Sequence, residues 1–234
     1  MLPVLILAGG LATRLHPLTE DTPKSMISIQ GNPFIQLQLE LLAKNGIRDV
    51  IICVGFKGEI IQEFVGNGEK FGLNVKYSFD GDRLVGTGGA IVRALPLLGE
   101  KFMVLYGDSF LPISYLEVIE KFKKSDKEAL MTLRLNDSAY EKSNVCFESG
   151  QILEYSKIKL KPEMRHIDYG LMGFNTSVFR DLRVGKFLDL SEILQHLVKY
   201  ELIEGFEVKE RFYEVGSFNG ISEIEEFLEK NDLQ

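Results

Sequence analysis

The sequence predicts an α/β fold built on a mixed, mostly parallel sheet with helices on both faces. Two observations carry that prediction. Strand-length apolar runs alternate with helix-length amphipathic segments through residues 1–110, and the connections are short. The runs themselves, such as Val50-Ile51-Ile52-Cys53-Val54, are apolar without a break, the pattern of strands buried on both faces. Strand–helix–strand repetition of this kind makes parallel neighbours joined by right-handed crossovers. The first half therefore reads as a Rossmann-like layer.

In chain order, Pro3 to Ala8 is the first expected strand. Asn32 reads as the cap of a helix with Pro33 at its first position, Phe34, Leu37, Leu41 and Leu42 form its apolar face, and Gly46 stops it. A strand over Asp49 to Val54, a helix over Glu59 to Val65 and a strand over Val75 to Phe79 follow. Next come a helix from Gly89 to Leu95, ended near Pro96, and a strand from Phe102 to Tyr106. The second half is more mixed, with short strands expected at Ala129 to Leu135, Val145 to Phe147, Ile152 to Tyr155 and Leu171 to Phe174. Helices are expected near Ser191 to Tyr200 and Ile221 to Glu229, the last with Ser222 and Glu225 as a capping box. No Ser-, Pro- or Gly-rich linker and no internal repeat divides the chain, so residues 1–234 are expected to form one domain of two halves, 1–110 and 111–234.

Composition excludes several classes. Of 234 residues, 45% are hydrophobic and 26% charged, which is ordinary globular usage and rules out a disordered or collagen-like chain. With 27 Lys and Arg against 34 Asp and Glu, the net charge of −7 argues against a general surface for nucleic acid or anionic membrane. An anionic substrate must then be drawn in by a local cluster of cations. The two cysteines, Cys53 and Cys146, and the scattered His16, His166 and His196 have neither disulfide-framework nor zinc spacing. Cys53 reads as a small buried hydrophobe. The opening apolar run has no basic flank, and no run approaches the ~18 residues needed to span a bilayer. A soluble, cytoplasmic protein is expected, with no nucleic-acid or membrane partner.

The strongest chemical signal is Leu7-Ala8-Gly9-Gly10-Leu11-Ala12-Thr13-Arg14-Leu15, followed by Pro17-Leu18-Thr19 and Pro23-Lys24-Ser25-Met26. A strand running into two glycines lets the backbone approach a ligand and aim N–H groups at phosphate. Arg14 and Lys24 add cations near the same strand end, where open α/β sheets bind ligands. The string is neither a P-loop nor a dinucleotide fingerprint. Tyr106-Gly107-Asp108 ends a strand and sets a carboxylate at the sheet's carboxyl edge, suited to Mg²⁺ or, alternatively, to capping a turn. Gly86-Thr87-Gly88-Gly89-Ala90 opens a helix, so its N–H groups and the Thr87 hydroxyl are expected to be free for a base edge or phosphate.

These strings resemble the signature of the sugar-1-phosphate nucleotidyltransferases, Gly-Gly-x-Gly-Thr-Arg-Leu-x-Pro-Leu-Thr then Pro-Lys-Pro-Met. Ala12 stands where the third glycine sits, and Ser25 replaces a proline. The resemblance covers nearly the whole chain and implies a nucleotide-diphospho-sugar transferase-like fold, with 1–110 as the nucleotide-binding half and 111–234 as the sugar-phosphate-binding half. It implies Leu7, Ala8, Gly9, Gly10, Thr13, Arg14, Thr87 and Gly88 around the nucleotide. Phe212-Tyr213-Glu214-Val215-Gly216-Ser217 is similar to the family's aromatic-x-Asp/Glu-hydrophobic-Gly-Thr/Ser motif, implying Glu214 as a second metal carboxylate beside Asp108. Ile152-Leu153-Glu154-Tyr155-Ser156-Lys157 resembles the segment whose lysine contacts the sugar phosphate, and His166-Ile167-Asp168-Tyr169-Gly170-Leu171 the strand that meets sugar hydroxyls. Gly107, Asn144, Glu154, Lys157, Asp168 and Gly170 are thereby implied on the sugar-phosphate side.

The implied reaction joins a nucleoside triphosphate and a sugar 1-phosphate, with Mg²⁺, into a nucleotide-sugar and pyrophosphate. The attacking phosphate is already ionised, so no general base is needed. Positioning and electrostatics must supply the rate, with Arg14, Lys24 and Lys157 as the catalytic cations. The turn Leu84-Val85-Gly86-Thr87-Gly88-Gly89-Ala90-Ile91 is most similar to that of the heptose and mannose 1-phosphate guanylyltransferase branch. That favours GTP and a heptose or mannose 1-phosphate, with Asp80 and Asp82 as candidate acceptors for guanine. The alternatives are the same reaction with UTP, CTP or dTTP, a non-catalytic regulatory homologue, and a dinucleotide-dependent oxidoreductase. Monomer and homodimer both stay open.

Overall fold

The computed structural model describes residues 1–10, 15, 20–81, 83–136 and 142–231. Its first half runs β1 (Val4–Leu7), β2 (Ser28–Ile29), β3 (Asn32–Pro33), α1 (Phe34–Lys44), β4 (Asp49–Val54), α2 (Gly58–Val65), β5 (Asn74–Phe79), α3 (Gly86–Ala94), β6 (Lys101–Tyr106) and β7 (Ser109–Phe110). The second runs α4 (Tyr115–Lys124), β8 (Ala129–Leu135), β9 (Val145–Glu148), β10 (Gln151–Tyr155), β11 (His166–Asn175), α5 (Leu190–Lys199), β12 (Ile203–Glu207), β13 (Tyr213–Glu214) and α6 (Phe218–Lys230).

β6, β1, β4 and β5 lie in that order and are parallel; the apolar runs of β1, β4 and β6 are central, and β5, with Asn74 and Lys76 exposed, is the edge strand. β11 packs antiparallel against β6 and carries β8 and β9, while β12 runs parallel to β8 and β10 antiparallel to β9. Only β10 and β11 therefore oppose the common direction. Side chains alternate between two apolar layers. Val4, Ile6, Val50, Ile52, Met103 and Leu105 face α1, α2 and α4. Leu5, Ile51, Val104 and Met172 face α3 and α5. A third, smaller core forms under α6 from Ile27, Ile29, Phe34, Phe110, Val215, Ile224 and Leu228. It binds the two halves together at the carboxyl edge of the sheet.

Three helix starts differ from the sequence reading: residues outside the helix meet the first N–H groups of α1 and α3, and α6 starts earlier at a local cap. α1 begins at Phe34 with Pro33 in the N-cap position. Asn32 is not its cap, since Asn32 and Pro33 pair with β2 and the Phe34 N–H donates to Ile27 O at 2.9 Å. α3 begins at Gly86 rather than Gly89, because the Leu188 carbonyl accepts from Gly88 N and Gly89 N at 2.9 and 3.1 Å. α6 is capped by Ser217, whose hydroxyl accepts from Gly220 N at 3.1 Å, and Ser222 lies inside the helix instead of opening it. Six further elements among the described residues were not anticipated, the short strands β2, β3, β7 and β13 together with α4 and β12. α4 has a legible cap, Ser114 accepting from Glu117 N at 3.3 Å, above buried Val118, Ile119 and Phe122. β12 depends on β8 for its pairing. Among the described residues, no helix is long and apolar enough to cross a membrane.

Candidate active site

The carboxyl ends of β1, β4, β5 and β6 open into a cavity of about 640 Å³. Leu7, Ala8, Gly9 and Gly10 form one wall, Asp80, Gly86 and Thr87 another, and Tyr106, Gly107 and Asp108 the floor. Lys24, Asn144, Lys157, Asp168 and Glu214 reach it from outside the parallel block. Gly107 is required by packing: its N–H donates to Leu7 O at 3.0 Å, and a Cβ would collide with that same carbonyl.

One end of the cavity holds a cation between carboxylates. Lys24 sits in a single 3₁₀ turn, Lys24–Met26, and its Nζ lies 2.6 Å from Asp108 Oδ2. The Ser109 hydroxyl donates to Asp108 Oδ1 at 3.3 Å. Glu214 arrives through a two-stranded ribbon in which β13 pairs with β7, placing Glu214 opposite Ser109, and Val215 N donates to Asp108 O at 2.9 Å. The two carboxylates implied by separate motifs are thus neighbours in space.

The other end is built differently. Asp168 is buried, with Tyr106 OH donating to Oδ2 at 3.0 Å and Gly170 N to Oδ1 at 3.1 Å. Burial pushes its carboxyl above the usual range, and the nearby Lys157 ammonium pulls it back. Asn144 Oδ1 accepts from Asp168 N at 2.9 Å. Lys157 makes no ion pair with a described residue, and its Nζ stands 5.4 Å from the centroid of the Tyr106 ring. A cation over an aromatic face, without a bound counter-ion, is ready for an anion.

Several expectations change. Glu154 does not line the cavity; its carboxylate pairs with Lys161 at 2.7 Å on the outer side of β10. The N–H groups of Gly88 and Gly89 are not free, being taken by Leu188 O, and the Thr87 hydroxyl accepts from Leu190 N at 2.9 Å. Gly86, at φ +74°, lies so close to Leu188 O that any Cβ would collide with it. The glycine-rich turn is thus a docking seat for residues 186–190, with Thr87 on the cavity side and Gly88 behind. Gly170, at φ +104°, shapes Asp168 rather than lining the cavity. Thr13, Arg14 and Asp82 lie outside the described residues.

The structure also adds residues that sequence reasoning missed. Phe187, 68% exposed, lines the cavity from the docked segment, and no local pattern announces it. The Ser25 hydroxyl is buried in the wall without a partner among the described residues. Asp80, by contrast, is one of the two acceptors expected for guanine; at the end of β5 it is buried with Oδ1 unpartnered among the described residues, and burial raises its carboxyl to about 6 against the opposing influence of Arg93.

Residues 3–231 match the family model described as Nucleotidyl transferase. The chain is 32% identical over 197 residues to D-glycero-alpha-D-manno-heptose 1-phosphate guanylyltransferase of Campylobacter jejuni, covering 83% of this chain and 86% of that one. It is 26% identical over 219 residues to Mannose-1-phosphate guanyltransferase of Gibberella zeae, covering 91% of this chain and 60% of that longer protein. The crystal structure of HddC from Yersinia pseudotuberculosis complexed with GMP-PN superposes with a TM-score of 0.83 at 25% identity, covering 97% of this chain and 100% of that one.

Proposed function

The chain belongs to the nucleotidyl transferase family, as a sugar-1-phosphate nucleotidyltransferase, and from that premise we propose that it couples GTP to heptose or mannose 1-phosphate, releasing pyrophosphate. The observation that carries the choice of base is Asp80, a buried carboxylate on the cavity wall whose Oδ1 has no partner among the described residues. Guanine offers adjacent N1–H and N2–H donors, which such an acceptor needs to avoid the cost of burial without a hydrogen bond. The likeness to the heptose 1-phosphate guanylyltransferase supports the same reading.

Arg14 and Lys24 take the triphosphate, and the Gly9-Gly10 backbone lies along it. Lys157 takes the sugar phosphate, and Asn144 and Asp168 flank the sugar. Asp108 and Glu214 supply hard oxygen donors side by side. Such a pair suits Mg²⁺, an ion held by one or two carboxylates with phosphates and waters completing the shell. Bound there, it would neutralise charge on the phosphates. An oxygen of the sugar phosphate attacks the α-phosphorus, and the bond from that phosphorus to the bridging oxygen breaks, so pyrophosphate leaves with the electron pair. Lys157 orients the attacking anion and Lys24 stabilises the leaving one, and no proton need move.

The test is a base comparison in a pyrophosphate-release assay. Replacing GTP with ITP, which lacks the 2-amino group, should cost about 1–3 kcal/mol in kcat/KM. Equal use of the two, or a preference for UTP or CTP, would sink the guanylyl assignment and leave the family membership intact.

A further inference from the structure

Lys24 and the carboxylates assigned to the metal form one compact unit. The Lys24 Nζ to Asp108 Oδ2 distance of 2.6 Å is that of a charge-assisted hydrogen bond. The second carboxylate faces the same space. A Cβ on Gly216 would lie 2.9 Å from Glu214 Oε1 and 3.3 Å from Lys24 Nζ, so both groups border a gap that only glycine leaves open. Asp108 Oδ1 is turned to Ser109, which leaves Oδ2 as the oxygen facing the ammonium.

We propose that the Lys24 ammonium is a tethered stand-in for the divalent cation, holding Asp108 beside Glu214 until a triphosphate draws it away, so that metal and nucleotide load as a coupled pair. This rests on the reading of Asp108 and Glu214 as the metal carboxylates. A cation on Asp108 Oδ2 and an ammonium 2.6 Å from that atom cannot coexist without strong repulsion, so one must leave. Lysine suits the exchange: its compact charge rides on a flexible four-carbon stem, and a neighbouring polyanion offers it more than one carboxylate does. By linkage, whatever moves Lys24 off Asp108 tightens the metal, and the metal in turn favours the nucleotide by the same factor.

The experiment titrates Mn²⁺, read by electron paramagnetic resonance of the free ion, against the nucleotide-free protein. Lys24→Met should bind Mn²⁺ about 10-fold or more tightly than wild type. Lys24→Arg, which keeps the charge, should stay as weak as wild type, and adding Asp108→Asn to Lys24→Met should abolish the gain. Equal Mn²⁺ affinity in wild type and Lys24→Met would overturn the proposal, as would tight binding that survives Asp108→Asn. Turnover with GTP and mannose 1-phosphate is scored separately. A tightened Mn²⁺ site in a protein without that turnover leaves this inference standing and sinks the substrate assignment.

Discussion

The two ends of the cavity present the same pair of residue types, a lysine and an aspartate, in opposite states. Asp108 is 34% exposed and held by the Lys24 ammonium, whereas Asp168 is 8% exposed and held by neutral donors, Tyr106 OH and Gly170 N–H. Among the described residues, Lys24 is paired and Lys157 is not. The difference teaches how one cavity can receive two anions. At the Lys157 end, the carboxylate is committed to the scaffold, which leaves the lysine's charge for the phosphate proposed to bind there. At the Lys24 end, the carboxylate is committed to a cation, so the lysine must be exchanged.

The largest effect should come from Asp108→Asn, which is expected to abolish metal-dependent pyrophosphate release while leaving the melting temperature nearly unchanged, because a part-exposed ion pair contributes little to stability. A large loss of stability would erase the contrast with Asp168. The next comparison sets Lys24→Ala against Lys157→Ala. Each should lower kcat/KM on the order of 10²–10³-fold. The Lys157 change should also raise KM for the sugar phosphate alone, and a rise in KM for the triphosphate instead would merge the two ends.

Asp168→Ala should act mainly on folding. It removes the acceptors of both Tyr106 OH and Gly170 N, at a cost of about 1–3 kcal/mol in denaturant unfolding for each buried donor left unpaired. An unchanged midpoint would show that Asp168 is not committed to the scaffold. The smallest effect is a pH slope from Asp80. Its folded carboxyl titrates at about 6, above the ordinary 3.8. The folded chain therefore binds this proton first, and the group's contribution makes stability rise as pH falls from about 6 toward 4. Asp80→Asn should remove that slope and gain about 1–2 kcal/mol at pH 7. A gain that is the same at pH 4 and pH 7 would count against a buried, ionised Asp80.

Much of the site was legible because its residues sit at the ends of strands whose burial is written locally. Asp49–Val54 and Ala129–Leu135 occur as read, and Asp108 follows β6 as read. Glu214 was legible only by its motif, since the ribbon that brings it to Asp108 is two residues long on each side. Glu154 was implied by resemblance of its segment, which carries no information about its neighbours, and Lys161 pairs with it from outside the cavity. The helix α4 was missed although Ser114 and Glu117 announce its start.

By itself the sequence determined the layered sheet, the strand ends that converge, and the types of charge available there. Each follows from local periodicity and turn chemistry, which act over a few residues. Tertiary structure decided which charges are spent and which are kept. Lys24 meets Asp108 across 84 residues and Tyr106 meets Asp168 across 62. Leu188 closes the glycine-rich turn from the far half of the chain. A hydrogen-bond donor or a cation has no partner until the fold supplies one, so whether it is free for a ligand is a property of the packed molecule and not of the string of residues.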